Sequence, residues 1–375
     1  MKKLIVTAVA LLVTATLSAR EYKLWFDRPA LTWTQALPVG NGTVGGMVFG
    51  TPAVEHIQLN EETIWAGQPN NVVNPKARKA LPRVRQLLFE GKYKEAQKLA
   101  NEEVMPVGAG QNMGMPFQPF GDLYISMPGH AAYSAYERWL DLDEARSMVR
   151  YQSDGVTYER EVITPLGGHP VLMVRLTASE KGKISFSANF TSPHDNVLVG
   201  SDAGSAWLHG VAAKHEGLKG KVRFMGRMAV ETVGGTTSGS NGQMSVTGAD
   251  EAVIYVAIGT NVVNYKDITG DEVEQSRQRL NSAMRTGYKA LKDLHARTYH
   301  KYYDRVSLDL GSDAYARIPV SRRIADFGSH ARQEGGTTPD NYLVATYFQF
   351  GRYLLISSSQ PDDINPANLQ GLWNE

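Results

Sequence analysis

The chain has no cysteine. That excludes disulfide staples, thiolate metal sites and a lipid anchor on cysteine. Past its first twenty positions no apolar run approaches the ~20 residues that a membrane-spanning helix needs. Neither sign of charge is in excess, the formal net charge being +1. Nucleic acid and membrane surfaces are therefore not expected partners. There are nine histidines, but no His-Glu-x-x-His; His295 and His300 are five apart, off one helix face, and Asp362-Asp363 reads as a turn. Neither a Gly-x-Ser-x-Gly elbow nor a P-loop occurs. No metal and no cofactor is called for.

What is present begins with a leader-like segment. Lys2 and Lys3 precede an apolar run from Leu4 to Thr16, and Ser18-Ala19 offers small residues for cleavage. Residues 1–19 read as a secretory signal peptide, which predicts a secreted, periplasmic protein with no membrane contact once the leader is removed. Without disulfides, such a chain depends on a large apolar core, and its length allows one.

Residues 20–268 read as a β domain. Apolar or alternating runs recur between glycine-rich turns at Val44–Phe49, Asp122–Met127, Ser147–Gln152, Val171–Leu176, Ile184–Phe190, Val222–Val230 and Glu251–Thr260. Ser153-Asp154-Gly155-Val156 is a hairpin signal. Spacing of this kind predicts a sandwich of antiparallel sheets. Pro75–Glu90 and Lys92–Glu103 carry apolar residues at helical spacing with basic outer faces, a helical hairpin inserted between strands. Thr232–Asp250, rich in Gly, Ser and Thr, reads as an exposed loop. From 269 to 310 the texture is that of a helical linker: Asp271–Asp304 is a long helix or helix pair, and Arg305–Leu310 a brief strand. Ser321–Arg332 and Asp340–Ser358 read as helices again. Tyr342, Leu343, Tyr347, Phe348, Tyr353, Leu354 and Ile356 surround the last of these, which predicts neighbours on several sides. Few such neighbours are evident upstream, so the sequence reads as the front part of a larger protein.

Gly40-Asn-Gly42-Thr-Val-Gly45 spells a dinucleotide-binding fingerprint. That fingerprint needs a helix after its glycines. Gly46, Gly50 and Pro52 forbid one, so the glycines read as turns entering a strand. Gln58 to Trp65 (Gln-Leu-Asn-Glu-Glu-Thr-Ile-Trp) gathers amide, carboxylate and tryptophan at a strand end. Asn60, Glu61 and Trp65 suit a sugar, whose hydroxyls need planar donors and acceptors and whose ring needs an aromatic platform; a strand cap and a core tryptophan are the alternative. Met105–Gln118 is a long loop of the kind that often carries function. In Pro366–Asn374, Asn368, Gln370, Trp373 and Asn374 follow the apolar helix. Buried amides must be paired, so these either brace the loop or bind ligand.

Taken together, Trp25-Phe26, Arg28-Pro29-Ala30, Leu37–Gly42, Gly45–Gly50, Leu59–Gly67, Gln118–Leu123 and Phe350–Ser359 through Pro366–Asn374 resemble glycoside hydrolase family 95. The resemblance runs in order from residue 22 to the last residue. It implies a multidomain β-then-α chain: an N-terminal super β-sandwich, a helical linker, and over 311–375 the first helices of a truncated (α/α)6 catalytic barrel. It implies an α-L-fucosidase acting with inversion on fucosylated oligosaccharides or polysaccharides, or an α-L-galactosidase of the same family. Asn60, Glu61, Trp65, Asn368, Gln370, Trp373 and Asn374 become the expected substrate-binding set. The family's water-holding Asn-x-Asn pair and its glutamate acid match nothing up to Glu375, so they are expected beyond it and this chain alone is expected to be inactive. The rival classes are a stand-alone carbohydrate-binding sandwich, which has no use for the apolar helix at 341–358, and a sandwich-plus-barrel sugar phosphorylase, which the wording around Leu59–Trp65 and Pro366–Asn374 disfavours.

Overall fold

The computed structural model describes residues 22–107, 114–202, 204–311, 316–330, 340–361, 365–369 and 371–375. The leader of residues 1–19, Gln370, Asp362-Asp363 and part of the 105–118 loop lie outside the described residues.

In chain order the elements are β1 Lys23–Phe26, β2 Leu37–Gly40, β3 Val44–Val48, β4 Val54–Glu61, α1 Ala77–Phe89, α2 Tyr93–Glu103, β5 Gly121–Ser126, β6 Ser134–Asp141, β7 Arg146–Ser153, β8 Val156–Ile163, β9 Val171–Ala178, β10 Ile184–Thr191, β11 Leu198–Asp202, β12 Ser205–Val211, β13 Arg223–Val233, β14 Thr236–Ser240, β15 Gln243–Ala249, β16 Glu251–Thr260, α3 Glu272–Thr286, α4 Tyr288–Tyr303, α5 Val320–His330 and α6 Asn341–Ser358. A nine-stranded sheet runs β1-β6-β7-β8-β9-β16-β13-β12-β11, and a seven-stranded sheet runs β14-β15-β10-β5-β4-β3-β2. Every named strand pairing is antiparallel. This is the sandwich that the strand spacing predicts.

The two sheets close on one apolar core. Ile57 and Leu59 of β4, Leu123 and Ile125 of β5, and Leu172, Val174 and Leu176 of β9 lie in it. Alternate positions of β9 and β16 (Val171, Met173, Tyr255, Ala257) point the other way into a second cluster with Leu280 and Ala283 of α3 and Leu291 of α4. So both faces of the central strands are covered, and their sequences read as continuous rather than alternating runs. A charged pair is sealed inside this core: Arg160 donates to Glu55, which also accepts Gly50 N at 2.7 Å. With both partners buried, it persists only because each charge is met.

Asp271 caps α3, accepting from Val273 N and Glu274 N at 3.0 and 2.9 Å. The helix stops at Gly287, φ 81°. Gly259 lets α3 lie close, since a Cβ there would stand 2.6 Å from Glu272 O and Ser276 N. Along α4, Leu291, His295, Tyr299 and Tyr303 form a buried i, i+4 stripe against the sandwich.

Three sequence expectations are corrected. Thr232–Asp250 is not a loop but holds the β14–β15 hairpin. Met244 and Val246 point into the core there, and Asn241-Gly242, with φ 50° and 77°, makes the tight turn. Arg305–Leu310 forms no strand; its backbone oxygens instead accept Tyr22 Oη and Arg352 at Leu308 and Val306. The third concerns α6, which does find neighbours upstream. Tyr342 stacks on Tyr22 with ring centroids 5.4 Å apart, and Tyr353 donates its hydroxyl to Pro38 O at 2.6 Å. Val344, Tyr347, Phe348 and Leu355 remain exposed on the other side.

Candidate functional site

A cavity of about 650 Å3 lies where the end of β4, the turn after β16, α3 and the C-terminal loop meet. Glu61 forms its floor. As the last residue of β4 it pairs with Val44, so its side chain leaves the sheet at the edge of the core. One carboxylate oxygen accepts Thr63 N at 2.8 Å and Thr63 Oγ1 at 2.6 Å. The other accepts Arg279 Nη1 of α3 at 3.2 Å. Thr63 Oγ1 continues to Thr260 Oγ1 at 2.6 Å, and Thr260 N donates to Gln275 Oε1 at 2.9 Å. The floor is thus a hydrogen-bonded seam tying β4 and β16 to α3. With both oxygens engaged by donors, Glu61 holds the seam.

Trp65 stands on the wall. Its Nε1 donates to Glu62 O at 2.8 Å, and its ring lies tilted against Phe117 at 5.2 Å. These contacts fix the ring while leaving it partly exposed to the cavity. Glu62 and Asn365 also line it, Asn365 Nδ2 donating to Glu62 Oε2 at 3.5 Å. Asn368 lines it too, in the loop closed by Gly371 N donating to Asn368 O at 3.0 Å.

The remaining expected residues stand behind the wall. Asn60 is fully buried and accepts Asn374 N at 3.4 Å. Asn374 Nδ2 donates to Phe117 O at 2.9 Å. Trp373 is buried, its Nε1 donating to Val39 O at 3.0 Å. These three brace the C-terminal loop against β2, β4 and the strand-like stretch at Phe117. Asn60 Nδ2 and Asn374 Oδ1 have no hydrogen-bond partner among the described residues. Gln370 lies outside the described residues.

The structure adds residues that sequence reading did not single out. Tyr265, 79% exposed, sits on the cavity lining in the tight turn where Asn264 and Asp267 pair. Arg279 and Gln275 come from the linker helix, one turn apart. Their only sequence signal is an i, i+4 spacing on α3, which says nothing about β4. Chemically the cavity offers two aromatic faces, side-chain amides and carboxylates in the pattern that suits a polyhydroxyl ligand. Among the described residues no three His, Asp or Glu side chains gather to hold a metal, and no helix is long and apolar enough to cross a membrane.

The profile described as "Glycosyl hydrolase family 65, N-terminal domain" matches residues 24–265. The profile described as "Glycosyl hydrolase family 95 catalytic domain" matches residues 287–375. Among curated proteins, "Alpha-L-fucosidase 2" of Arabidopsis thaliana is 32% identical over 95% of this chain and 44% of its own length. "Probable alpha-fucosidase A" of Aspergillus niger is 28% identical over 98% of this chain and 47% of its own. The chain spans about half the length of the curated relatives it matches. Among solved structures, "Putative kojibiose phosphorylase from human microbiome" superposes with a TM-score of 0.52 at 8% identity, over 94% of this chain and 45% of that one. That likeness is one of fold.

Proposed function

From the premise that the chain belongs to the glycosyl hydrolases that join a family 65-type N-terminal domain to a family 95 catalytic domain, we propose that it is part of a secreted α-L-fucosidase acting on fucosylated glycans. The observation that carries the reading is the position of the cavity. Its walls come from Glu61–Val72 and Thr260–Tyr265 within the first matched region, from Asn365–Leu372 within the second, and from α3 between them.

In this reading Trp65 offers its face to the apolar side of a sugar ring, and Asn365 and Asn368 offer amides to hydroxyls. Asn60, Trp373 and Asn374 act through the loop they brace and do not touch the sugar. Residues 311–375 are the first helices of an (α/α)6 barrel. Hydrolysis proceeds with inversion: a carboxylic acid protonates the leaving oxygen while water, activated on the opposite face, attacks the anomeric carbon. That needs two groups ~6.5–9.5 Å apart with room for water. Glu61 does not supply one, being held by Thr63 and Arg279. The acid and the water-holding pair belong to the part of the relatives' length that this chain does not span.

The test has two arms. Residues 20–375 are expected to bind 2'-fucosyllactose without turning it over. A form as long as the relatives is expected to release β-L-fucose first, seen by proton NMR before mutarotation. Release of α-L-fucose first removes inversion, and turnover by residues 20–375 alone removes the division of labour.

A further inference from the structure

The α1–α2 hairpin is an arm rooted in the cavity wall. Val72, on the lining, leads into it, and Gly114 and Met115, also on the lining, follow it. Its base is closed by Val107 N donating to Val72 O at 2.9 Å and by Asn74 Nδ2 donating to Met105 O at 3.1 Å. Beyond that base its own small cluster, Val84, Leu87 and Ala96 with Leu99, Ala100 and Val104, holds the two helices to each other.

The outer surface of the arm has a definite chemistry. Helix α1 contains Arg78, Lys79, Arg83 and Arg85 and no acidic residue. At 100° per residue its buried side centres on Ala80, Val84 and Leu87, so Arg78, Pro82, Arg85 and Phe89 lie on the opposite side in one line. All four are exposed, Phe89 by 91%, and Tyr93 just past the turn by 68%. Arg83 and Lys92 share the single carboxylate of Glu90, at 3.7 and 3.0 Å. Arg78, Lys79 and Arg85 make no ion pair with any described residue. On a chain of net charge +1 this is a local concentration of positive charge. Helix α2 does not share this character: its Lys94 and Lys98 are offset by Glu95, Glu102 and Glu103, so the positive charge of the arm is confined to α1.

We infer that this arm docks an acidic polysaccharide, one with uronic acid units in its backbone, and leads it to the cavity. Each part of the stripe answers to part of such a chain. A planar guanidinium takes a carboxylate through two parallel hydrogen bonds, which a point charge does not. Arg78 and Arg85 are seven residues apart, ~10.5 Å along the helix, about the length of two linked sugar rings. In a chain with roughly two-fold twist, carboxylates recur on one side at about that interval, somewhat shorter where the rings are axially linked as in polygalacturonate, a difference within the reach of two flexible arginine side chains. Phe89 and Tyr93 then offer aromatic faces to the next rings at the tip. A stripe of bare cations would attract any polyanion; the exposed rings at its end favour one made of sugars.

The inference extends the proposed glycan site to the part of the substrate that is not cleaved. It is read by binding, so it stands or falls apart from turnover. Residues 20–375 are run by affinity electrophoresis in gels containing polygalacturonate, dextran or double-stranded DNA. Retardation is expected with polygalacturonate and not with dextran, and weaker in 0.5 M salt. Arg78→Ser/Arg85→Ser should weaken it about tenfold, and Phe89→Ala several-fold, with melting temperatures unchanged because all three side chains point outward. If the double variant is unfolded by circular dichroism, Arg85→Gln alone carries the same test. Retardation by polygalacturonate that survives these substitutions overturns the inference. So does equal retardation by DNA with no effect of Phe89→Ala, which would reduce the arm to undirected charge.

Discussion

Acidification should loosen the joint between sandwich and linker through one histidine. His295 of α4 is buried, with Leu166 N donating to its Nδ1 at 3.2 Å. Its Nε2–H is shared by the carbonyl oxygens of Glu144 and Ala145, each at 3.1 Å. The ring is therefore held neutral, and a proton on Nδ1 would face the Leu166 N–H. Burial pushes its pKa down from 6.5 to about 4, against the two carbonyls and the Glu161 charge, which favour the cation. The unfolded chain takes up this proton near pH 6.5 and the folded chain only near 4. The stabilisation is thus complete above about pH 6.5 and is lost as the pH falls toward 4. Between pH 7 and pH 5 the loss is about 2 kcal/mol, or roughly 3 °C in Tm for a chain of this length. His130 and His194, also lowered by burial, act in the same direction. Carboxylates held down by partners, such as Glu161, Glu272 and Asp340, give way only below their unfolded values near 4. The assay is the melting temperature at pH 7, 6 and 5 for the native chain and for His295→Gln, which keeps an acceptor and a donor but cannot titrate. The variant should melt lower at pH 7 yet lose less on acidification. An equal loss in both would refute the account.

Other outcomes follow from single contacts. Trp65→Ala should weaken binding of a fucosylated oligosaccharide by tenfold or more while Tm stays nearly constant, since the ring is partly exposed and its deletion opens no core cavity; a loss confined to Tm would make it a packing residue. Arg279→Met removes one partner of the buried Glu61 carboxylate and should cost about 3 kcal/mol in urea unfolding; no change would mean that the Thr63 contacts suffice. Tyr353→Phe deletes a buried hydroxyl bound to Pro38 O and should cost about 1–2 kcal/mol, read as a shifted unfolding midpoint. Gly45→Ala would put a Cβ 2.9 Å from Leu372 Cβ and should release the C-terminal loop, seen as faster amide exchange at Trp373 and Asn374.

The sandwich was legible because strands write their burial into sequence at short range. Asp122–Met127 alternates, and Asp154-Gly155 takes the positive φ values, 49° and 78°, that its residue types invite. The β14–β15 hairpin was not legible. Its Ser, Thr and Gly residues are those of a loop, and only Met244 and Val246 hint at a face that the core buries. The packing of α6 was hidden for another reason. Its aromatic residues show that it needs partners, but the partners Tyr22 and Pro38 lie more than 300 residues earlier in the chain. For the site, the chemistry of Glu61 and Trp65 could be read from their neighbours, while the difference between a wall and a brace could not. Asn60 and Glu61 are adjacent, yet one braces a loop and the other floors the cavity, because successive strand residues point to opposite faces.

The glycines from 40 to 45 show what local reading misses. The order Gly40-x-Gly42-x-x-Gly45 excludes a nucleotide site on the ground that a strand, β3, follows it. It leaves unexplained why the strands themselves need glycine. Asn41 makes the turn, accepting Val44 N at 2.8 Å, and Gly42 takes φ 91°. Gly40 and Gly45 have no such backbone demand. A Cβ on Gly40 would stand 2.7 Å from Ser357 O, and one on Gly45 would stand 2.9 Å from Leu372 and 3.3 Å from Trp373 Nε1. These two positions are bare so that the end of α6 and the C-terminal loop can lie on the sheet. The loop that carries Asn365 and Asn368 to the cavity is therefore seated by an absence of side chains more than 300 residues earlier in the chain, a dependence that appears only when both ends are placed together.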